Sequence, residues 1–490
     1  MHQSLTFGLL VLCTCAAALV AVQSHRLSEV LRIPAPAFFL LGSAAVATWV
    51  PQVTRPDPQT VERVVTLALV VILFDGGLHI GAARFRSTAR TIAALGVVGT
   101  FLTVAGAAVL VHQVLGISWY LAVLVATAVS PTDPAVVFSV LGRKEVEGGS
   151  GTVLEGESGA NDPVGIALMA SLLAAGGLSS GAVGHVAATF VLQMVVGTAV
   201  GVVGAWFLLQ LMRRFALPSE GLYPVRTLVS AGLVFGLATV AHGSGFLAVF
   251  VAGILLGDER APYKREIERF HSALASLGEL VAFASLGLTV DLGVLGRGDV
   301  WGPGLAIGGL LALVIRPLLN APLLLGSGLD RGERAFVLAA GLKGAVPLLL
   351  GSMLLPGDRG EQLYGVVVVV VLVSVLLQGT LVPVMARLLG VRMRQVEQEP
   401  FSIGIRMRAA PRGVQRHTVE GGSVADGLRL SQVPGLAEGT WVSLLLRGQA
   451  LVPLRGDTVL LAGDEVLVQL DDEQDPEVVH GLFRSSTDLG

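Results

Sequence analysis

Charge is what this sequence has least of. Only 14% of its 490 residues are Asp, Glu, Lys or Arg, against about 25% in an ordinary soluble domain. That shortage excludes a cytosolic enzyme, a disordered chain and a nucleic-acid binder. The net charge of -3 points to no partner of either sign. There are two cysteines, Cys13 and Cys15. They lie one residue apart in an apolar block, where a disulfide is geometrically implausible, and read as lipid- or helix-facing hydrophobes. No Gly-rich phosphate loop follows a strand pattern, so no cofactor is expected. Apolar residues fill the sequence instead: they make up 53% of it, with 62 glycines and a mean hydropathy of +0.74. They sit in long blocks separated by short basic loops, the pattern of a multi-pass protein whose partner is the lipid bilayer.

A spanning helix needs roughly 20 apolar residues. Blocks of that size are predicted at 4–22, 28–48, 60–80, 88–112, 118–142, 151–178, 183–211, 222–241, 243–257, 270–296, 302–326, 332–354 and 362–389, about 13 spans. The first block ends like a signal peptide but lacks the basic region that precedes one, so it is read as a span. Loops after odd-numbered spans hold about sixteen basic residues, Arg84, Arg213 and Lys264 among them; loops after even-numbered spans hold Arg55, Arg63, Arg297 and Arg359. The positive-inside rule then puts the N-terminus outside and the C-terminus in the cytoplasm.

Beyond Arg394 the pattern changes. Residues 401–408, 440–446, 458–461 and 465–470 read as strands, and 423–430 and 475–483 as short helices. The expected organisation is a transmembrane domain over 1–392 and a small cytoplasmic α+β domain over 398–487.

Ionisable residues inside a membrane are costly and usually functional. Here they are Asp75, Asp133, Glu155, Glu157, Asp162, Glu279, Arg316 and Lys343. Three Gly/Pro-containing stretches concentrate them. In Ser130-Pro131-Thr132-Asp133-Pro134, two prolines predict a helix break that frees carbonyls in the membrane interior. In Gly156-Glu157-Ser158-Gly159-Ala160-Asn161-Asp162-Pro163, Ser158 and Asp162 share one helix face, with Glu157 and Asn161 on a stripe about 100° round. A desolvated carboxylate can hold a proton or a small cation, but the two compete; that competition is the minimal chemistry of cation/proton exchange. The third stretch, Gly341-Leu342-Lys343-Gly344-Ala345-Val346-Pro347, sets a cation in an apolar span. Glu157 is its expected carboxylate partner. Arg316 and Glu279 read as structural.

TDP, GESxxND and GLKGAVP, in this order and spacing, resemble the monovalent cation:proton antiporter family, in its NhaP branch, over roughly residues 5–390. The resemblance implies an all-α membrane fold of two inverted repeats with broken crossing helices, split into a dimerisation domain and a mobile core, so a homodimer working by elevator-like alternating access. It implies that Asp162 carries K⁺ or Na⁺ and H⁺ in turn, with Thr132 and Ser158 coordinating, Asn161 bracing the broken helices and Asp133 contributing at the crossing. Asp75 lies in Phe74-Asp75-Gly76-Gly77-Leu78, which resembles the family's Phe-Glu-Gly-Gly-Leu. In the family, Asn-Asp accompanies electroneutral exchange and Arg usually stands where this chain has Lys343. A Lys can lose its proton, which leaves the stoichiometry open.

In the tail, residues 451–458 and 462–468 resemble the TrkA C-terminal (RCK-C) domain, which often accompanies potassium transport and can bind a small regulatory ligand. Together these point to an inner-membrane K⁺/H⁺ antiporter. Na⁺/H⁺ exchange by the same core is the alternative, since the site residues do not discriminate. A channel would need a filter of repeated carbonyls, and a protease a Ser/His or Asp/Asp constellation; neither pattern is present.

Overall fold

The computed structural model describes residues 33–50, 56–141, 144–146, 148–259, 261–395, 414–434, 440–448, 450–470 and 476–484, with scattered positions before 33. The chain forms two compact units, Met1–Glu397 and Gln398–Gly490.

The first unit is helical because a backbone buried in lipid must bond to itself. It begins with α1 (Ala35–Trp49), α2 (Pro58–Ala93), a π turn (Ala94–Gly99) and α3 (Thr100–Leu115). Run as one rod, residues 58–115 would extend about 87 Å, nearly three times the roughly 30 Å hydrocarbon core. Gly81 interrupts them, with φ 68° and ψ 162°. A Cβ there would strike Asp258, whose carboxylate accepts the Ala83 N–H and so caps the second leg. The break falls between the expected spans 60–80 and 88–112.

Then come α4 (Trp119–Val129), α5 (Pro134–Leu141), α6 (Gly149–Ala175), α7 (Ser180–Arg214), α8 (Leu222–Val240), α9 (Gly245–Gly257), α10 (Lys264–Thr289) and a short α11 (Leu292–Leu295). Next are α12 (Gly298–Leu310), a π turn (Leu311–Ile315) and α13 (Arg316–Asn320), then α14 (Arg331–Ala339) and α15 (Ala345–Ser352). The unit closes with α16 (Gly360–Val373), a π turn (Ser374–Gln378) and α17 (Gly379–Leu388). A two-stranded ribbon pairs β1 (Lys144–Val146) with β2 (Met393–Gln395) antiparallel.

Among the described residues, seven helical segments are long and apolar enough to cross a membrane. The expected span 4–22 lies mostly outside the described residues. The three Gly/Pro-containing stretches differ in helix continuity. The spans at 118–142 and 332–354 are broken, at 130–133 and 340–344. The stretch around Asp162 is not: α6 runs continuously past Pro163. Proline costs that helix one donor, at the Gly159 carbonyl, while two prolines three residues apart end α4 and start α5.

Helix α16 carries six successive valines, Val366 to Val371, each at most 1% exposed. β-Branched residues favour strands in water. Here the helix wins because it satisfies every backbone group within the segment.

The second unit holds, among its described residues, a four-stranded antiparallel sheet in the order β3 (Val414–Thr418), β6 (Asp464–Leu470), β4 (Thr440–Arg447), β5 (Ala450–Leu451), and the α-helix α18 (Pro476–Phe483). Val466, Val468 and Leu470 alternate inward along β6 and meet Leu445, Val479 and Phe483 in a small core. Arg447 clasps Asp464 with two hydrogen bonds, at 2.9 and 2.8 Å. Three expectations for this region need correction or fall away. Residues 423–430 do not form a helix and 458–461 do not form a strand; they meet edge to edge. Gly427 N–H donates to Leu460 O at 2.8 Å, Leu460 N–H to Leu428 O at 2.9 Å and Leu430 N–H to Thr458 O at 2.8 Å. Gly422 and Gly427, with φ 79° and 80°, turn the chain out of a helix. The expected strand 401–408 lies outside the described residues.

Candidate ion-binding site

The two broken spans meet. Asp133 N–H donates to Leu342 O at 2.8 Å, so the unwound backbone of 130–133 lies against that of 340–344. The approach depends on two glycines: a Cβ on Gly344 would run into the Asp133 carboxylate, and one on Gly341 into the Arg316 guanidinium.

Each helix end at the crossing is matched by charge. Asp133 precedes α5 and its Oδ1 accepts the Ala135 N–H at 2.9 Å, an anion at a helix N-terminus. Lys343 Nζ donates to Ser130 O at 2.8 Å and Pro131 O at 3.1 Å, carbonyls just past the C-terminal end of α4. The Lys343 N–H donates to Ser374 Oγ at 3.0 Å.

Helix α6 lies alongside. Asn161 clamps Thr132 from two sides: its Nδ2 donates to Thr132 Oγ1 at 2.7 Å, and its Oδ1 accepts the Thr132 N–H at 3.3 Å. Ser158 Oγ donates to Thr132 O at 2.7 Å. Both main-chain groups of Thr132 are thus held by α6. One turn beyond Ser158, Asp162 is buried, and its Oδ1 has no hydrogen-bond partner. A buried carboxylate oxygen without a donor is an expensive group. It becomes affordable with a proton or a bound cation, which is the competition exchange requires.

Of the expected site residues, Thr132, Asp133, Ser158, Asn161 and Asp162 gather at the crossing, and Lys343 joins them from the other chain segment. Asp75 is bonded elsewhere: on α2, its Oδ1 accepts from Ser272 Oγ at 3.2 Å and lies 3.4 Å from His79 Nδ1.

The expected Glu157–Lys343 pair does not form. Glu157 pairs instead with Arg316, at 2.9 Å to Oε1 and 3.0 Å to Oε2, with both side chains buried. The Lys343 ammonium is taken up by the carbonyls of Ser130 and Pro131, and the Arg316 guanidinium reaches the Glu157 carboxylate from α13. Arg316 also donates through Nε to Leu338 O at 3.1 Å, which pins the last turn of α14. Its signal in the sequence was an arginine in an apolar run followed by Pro317.

Three π turns also went unread. Gly96, in the first, lies against Ala160 and the Glu157 carbonyl. Arg316 follows the second, and Ser374, which opens the third, accepts from Lys343. Such turns re-aim side chains and favour functional sites.

Comparison with known proteins identifies the family. The family model "Sodium/hydrogen exchanger, transmembrane" matches residues 13–388. The K(+)/H(+) antiporter NhaP of Alkalimonas amylolytica is 32% identical over 363 residues, 73% of this chain; the match spans 63% of that relative's length. The K(+)/H(+) antiporter NhaP2 of Shewanella sp. (strain MR-4) is 30% identical over 478 residues, covering 95% of this chain and 82% of the relative. The Na(+)/H(+) antiporter NhaH of Halobacillus dabanensis is 29% identical over 66% of the chain. In fold, the chain is similar to the sodium proton antiporter MjNhaP1 of Methanocaldococcus jannaschii, with a TM-score of 0.64, 22% identity and coverage of 77% of this chain and all of that one. This chain is a multi-pass helical membrane protein that belongs to the sodium/hydrogen exchanger family, a family of transporters.

Proposed function

We propose that this protein is a K⁺/H⁺ antiporter of the bacterial inner membrane, exporting K⁺ in exchange for external H⁺. The observation that carries the reading is the buried, unpartnered Asp162 oxygen beside the broken-helix crossing. Asp162 binds the cation or the proton in alternation, so one ion leaves as the other arrives. Thr132 and Ser158 supply hydroxyl oxygens next to it, Asn161 fixes the unwound segment, and Asp133 and Lys343 balance the helix ends. Asp75 is an outlying acidic group on the ion's route.

The choice of K⁺ follows the names of the relatives at about 30% identity. Na⁺ is the second reading, favoured by the NhaH match. The remaining features of the proposal are about 13 spans in inverted repeats, a homodimer moving as an elevator, an outside N-terminus, and a cytoplasmic TrkA-C domain over 398–487 with a small regulatory ligand.

The test uses everted vesicles holding a preformed pH gradient. Addition of KCl should dissipate it, and Asp162→Asn should abolish the response while the protein still inserts. A response to NaCl alone would replace K⁺ with Na⁺; a response to neither would end the antiport reading.

A further inference from the structure

Glu279 lies on α10, on the stripe that continues through Ala282, Phe283 and Leu286, all fully buried. Its Oε1 is buried and has no hydrogen-bond partner. None of the described ion pairs includes it, and it lies within electrostatic reach of Asp133.

Its surroundings narrow what it can be. Helix α10 packs on α1, α2, α8 and α15. Helices α1 and α15 carry no ionisable side chain. Helix α2 brings Asp75 and His79, which are engaged with each other and with Ser272; its other charged residues, Glu62, Arg63, Arg84, Arg86 and Arg90, lie toward its two ends. Helix α8 brings Arg226, which donates to Phe215 O at 2.9 Å and lies 4.9 Å from the centre of the Tyr223 ring. Gly344, the residue before α15, lies against the Asp133 carboxylate. A structural carboxylate in a membrane keeps a cationic partner, as Glu157 keeps Arg316. Among the described ion pairs Glu279 keeps none, and its Oε1 is buried without a donor.

We propose that Glu279 is a second ion-handling carboxylate on the transport path, on a helix packed against α15, and that it holds the alkali cation beside Asp133 as the ion reaches or leaves Asp162. The inference rests on the antiport reading. In the low-dielectric interior, two acids on neighbouring elements with no ion-pair partner for Glu279 favour a shared monovalent cation, or a proton when the cation is absent. Lys343 cannot fill that place, because its ammonium is committed to the carbonyls of Ser130 and Pro131.

The test compares wild type, Glu279→Gln and Glu279→Asp in everted vesicles, with KCl and NaCl titrated at several pH values and membrane levels measured by immunoblot. Gln removes the charge at constant shape; Asp keeps the charge but retracts it. The expected result is a half-saturating cation concentration raised about tenfold in Gln, the loss of one charged contact, and less in Asp, with the maximal rate changed far less. Competition by protons should also weaken in Gln. Wild-type half-saturation and pH profile in Gln would overturn the inference, as would failure of both variants to insert, which would make Glu279 structural. Absence of exchange in wild type would instead sink the antiport reading itself.

Discussion

Glu157 and Arg316, 159 positions apart in the sequence, form a buried ion pair in which one guanidinium nitrogen reaches both carboxylate oxygens. It ties α6 to α13 and, through the Arg316 bonds to Leu338 O and Val337 O, to the end of α14. Removing one partner leaves the other as a buried, uncompensated charge, at a cost of about 3–5 kcal/mol. Glu157→Gln and Arg316→Met should each lower the melting temperature of the detergent-solubilised protein sharply. The double variant should be less damaged than the sum of the two. Additive losses in a thermal-shift measurement would show that the pair does not couple these helices.

The Asn161–Thr132 clamp makes a separate prediction. Asn161→Leu removes both hydrogen bonds and leaves the Thr132 N–H buried without an acceptor, a cost of about 1–3 kcal/mol. The unwound segment should loosen, so exchange should fall at every cation concentration. Thr132→Val keeps the backbone bond to Asn161 and should be milder. Equal turnover in Asn161→Leu and wild type would remove the bracing role.

Gly344→Ala places a methyl group where the Asp133 carboxylate sits. The two unwound segments would have to part, breaking the Asp133–Leu342 bond. Exchange should be lost with the protein still inserted. Gly309→Ala, on α12 where nothing lies near an added Cβ, should exchange normally and serves as the control. A fully active Gly344→Ala would show that the close approach is dispensable.

In the second unit, His417 Nδ1 lies 3.2 Å from His480 Nδ1, and its ring stacks on Phe483. Burial, then the neighbouring His480, hold the His417 pKa below its ordinary 6.5. The native unit therefore binds fewer protons than its unfolded form just below pH 6.5. Its stability is fully present above that value and is lost as pH falls through the window down to the native pKa. Hydrogen exchange of β3 and α18 in the full-length protein should accelerate over that interval, and His417→Phe should flatten the dependence. Faster exchange on raising the pH beyond the intrinsic chemical rate would contradict the sign.

How much of this could be read from residues depended on the range of the cause. Pro131 and Pro134 break a helix by local sterics, so the first crossing segment was legible, and Gly341 to Pro347 marked the second. The single Pro163 acts differently: one lost donor does not end a helix of 27 residues. Helical periodicity put Ser158 and Asp162 on one face; that Thr132 and Asn161 join them was implied by the family resemblance. The Glu157 partner was not legible, because the choice between Lys343 and Arg316 is set by which of them the fold brings to the carboxylate, and no local pattern encodes that. Residues 423–430 have the composition of a short helix, yet their amides find carbonyls at 458 and 460.

The valine run of α16 bears on how the protein must be made. Six β-branched residues with no charge and no proline are the composition of a cross-β zipper. In water nothing would hold them helical, and each chain would offer its neighbours a strand. The lipid environment suppresses that outcome by penalising any unpaired amide. Delivery of this segment from the ribosome straight into the bilayer is therefore a requirement of its sequence, and chains that miss insertion should be lost to aggregates rather than recovered by refolding.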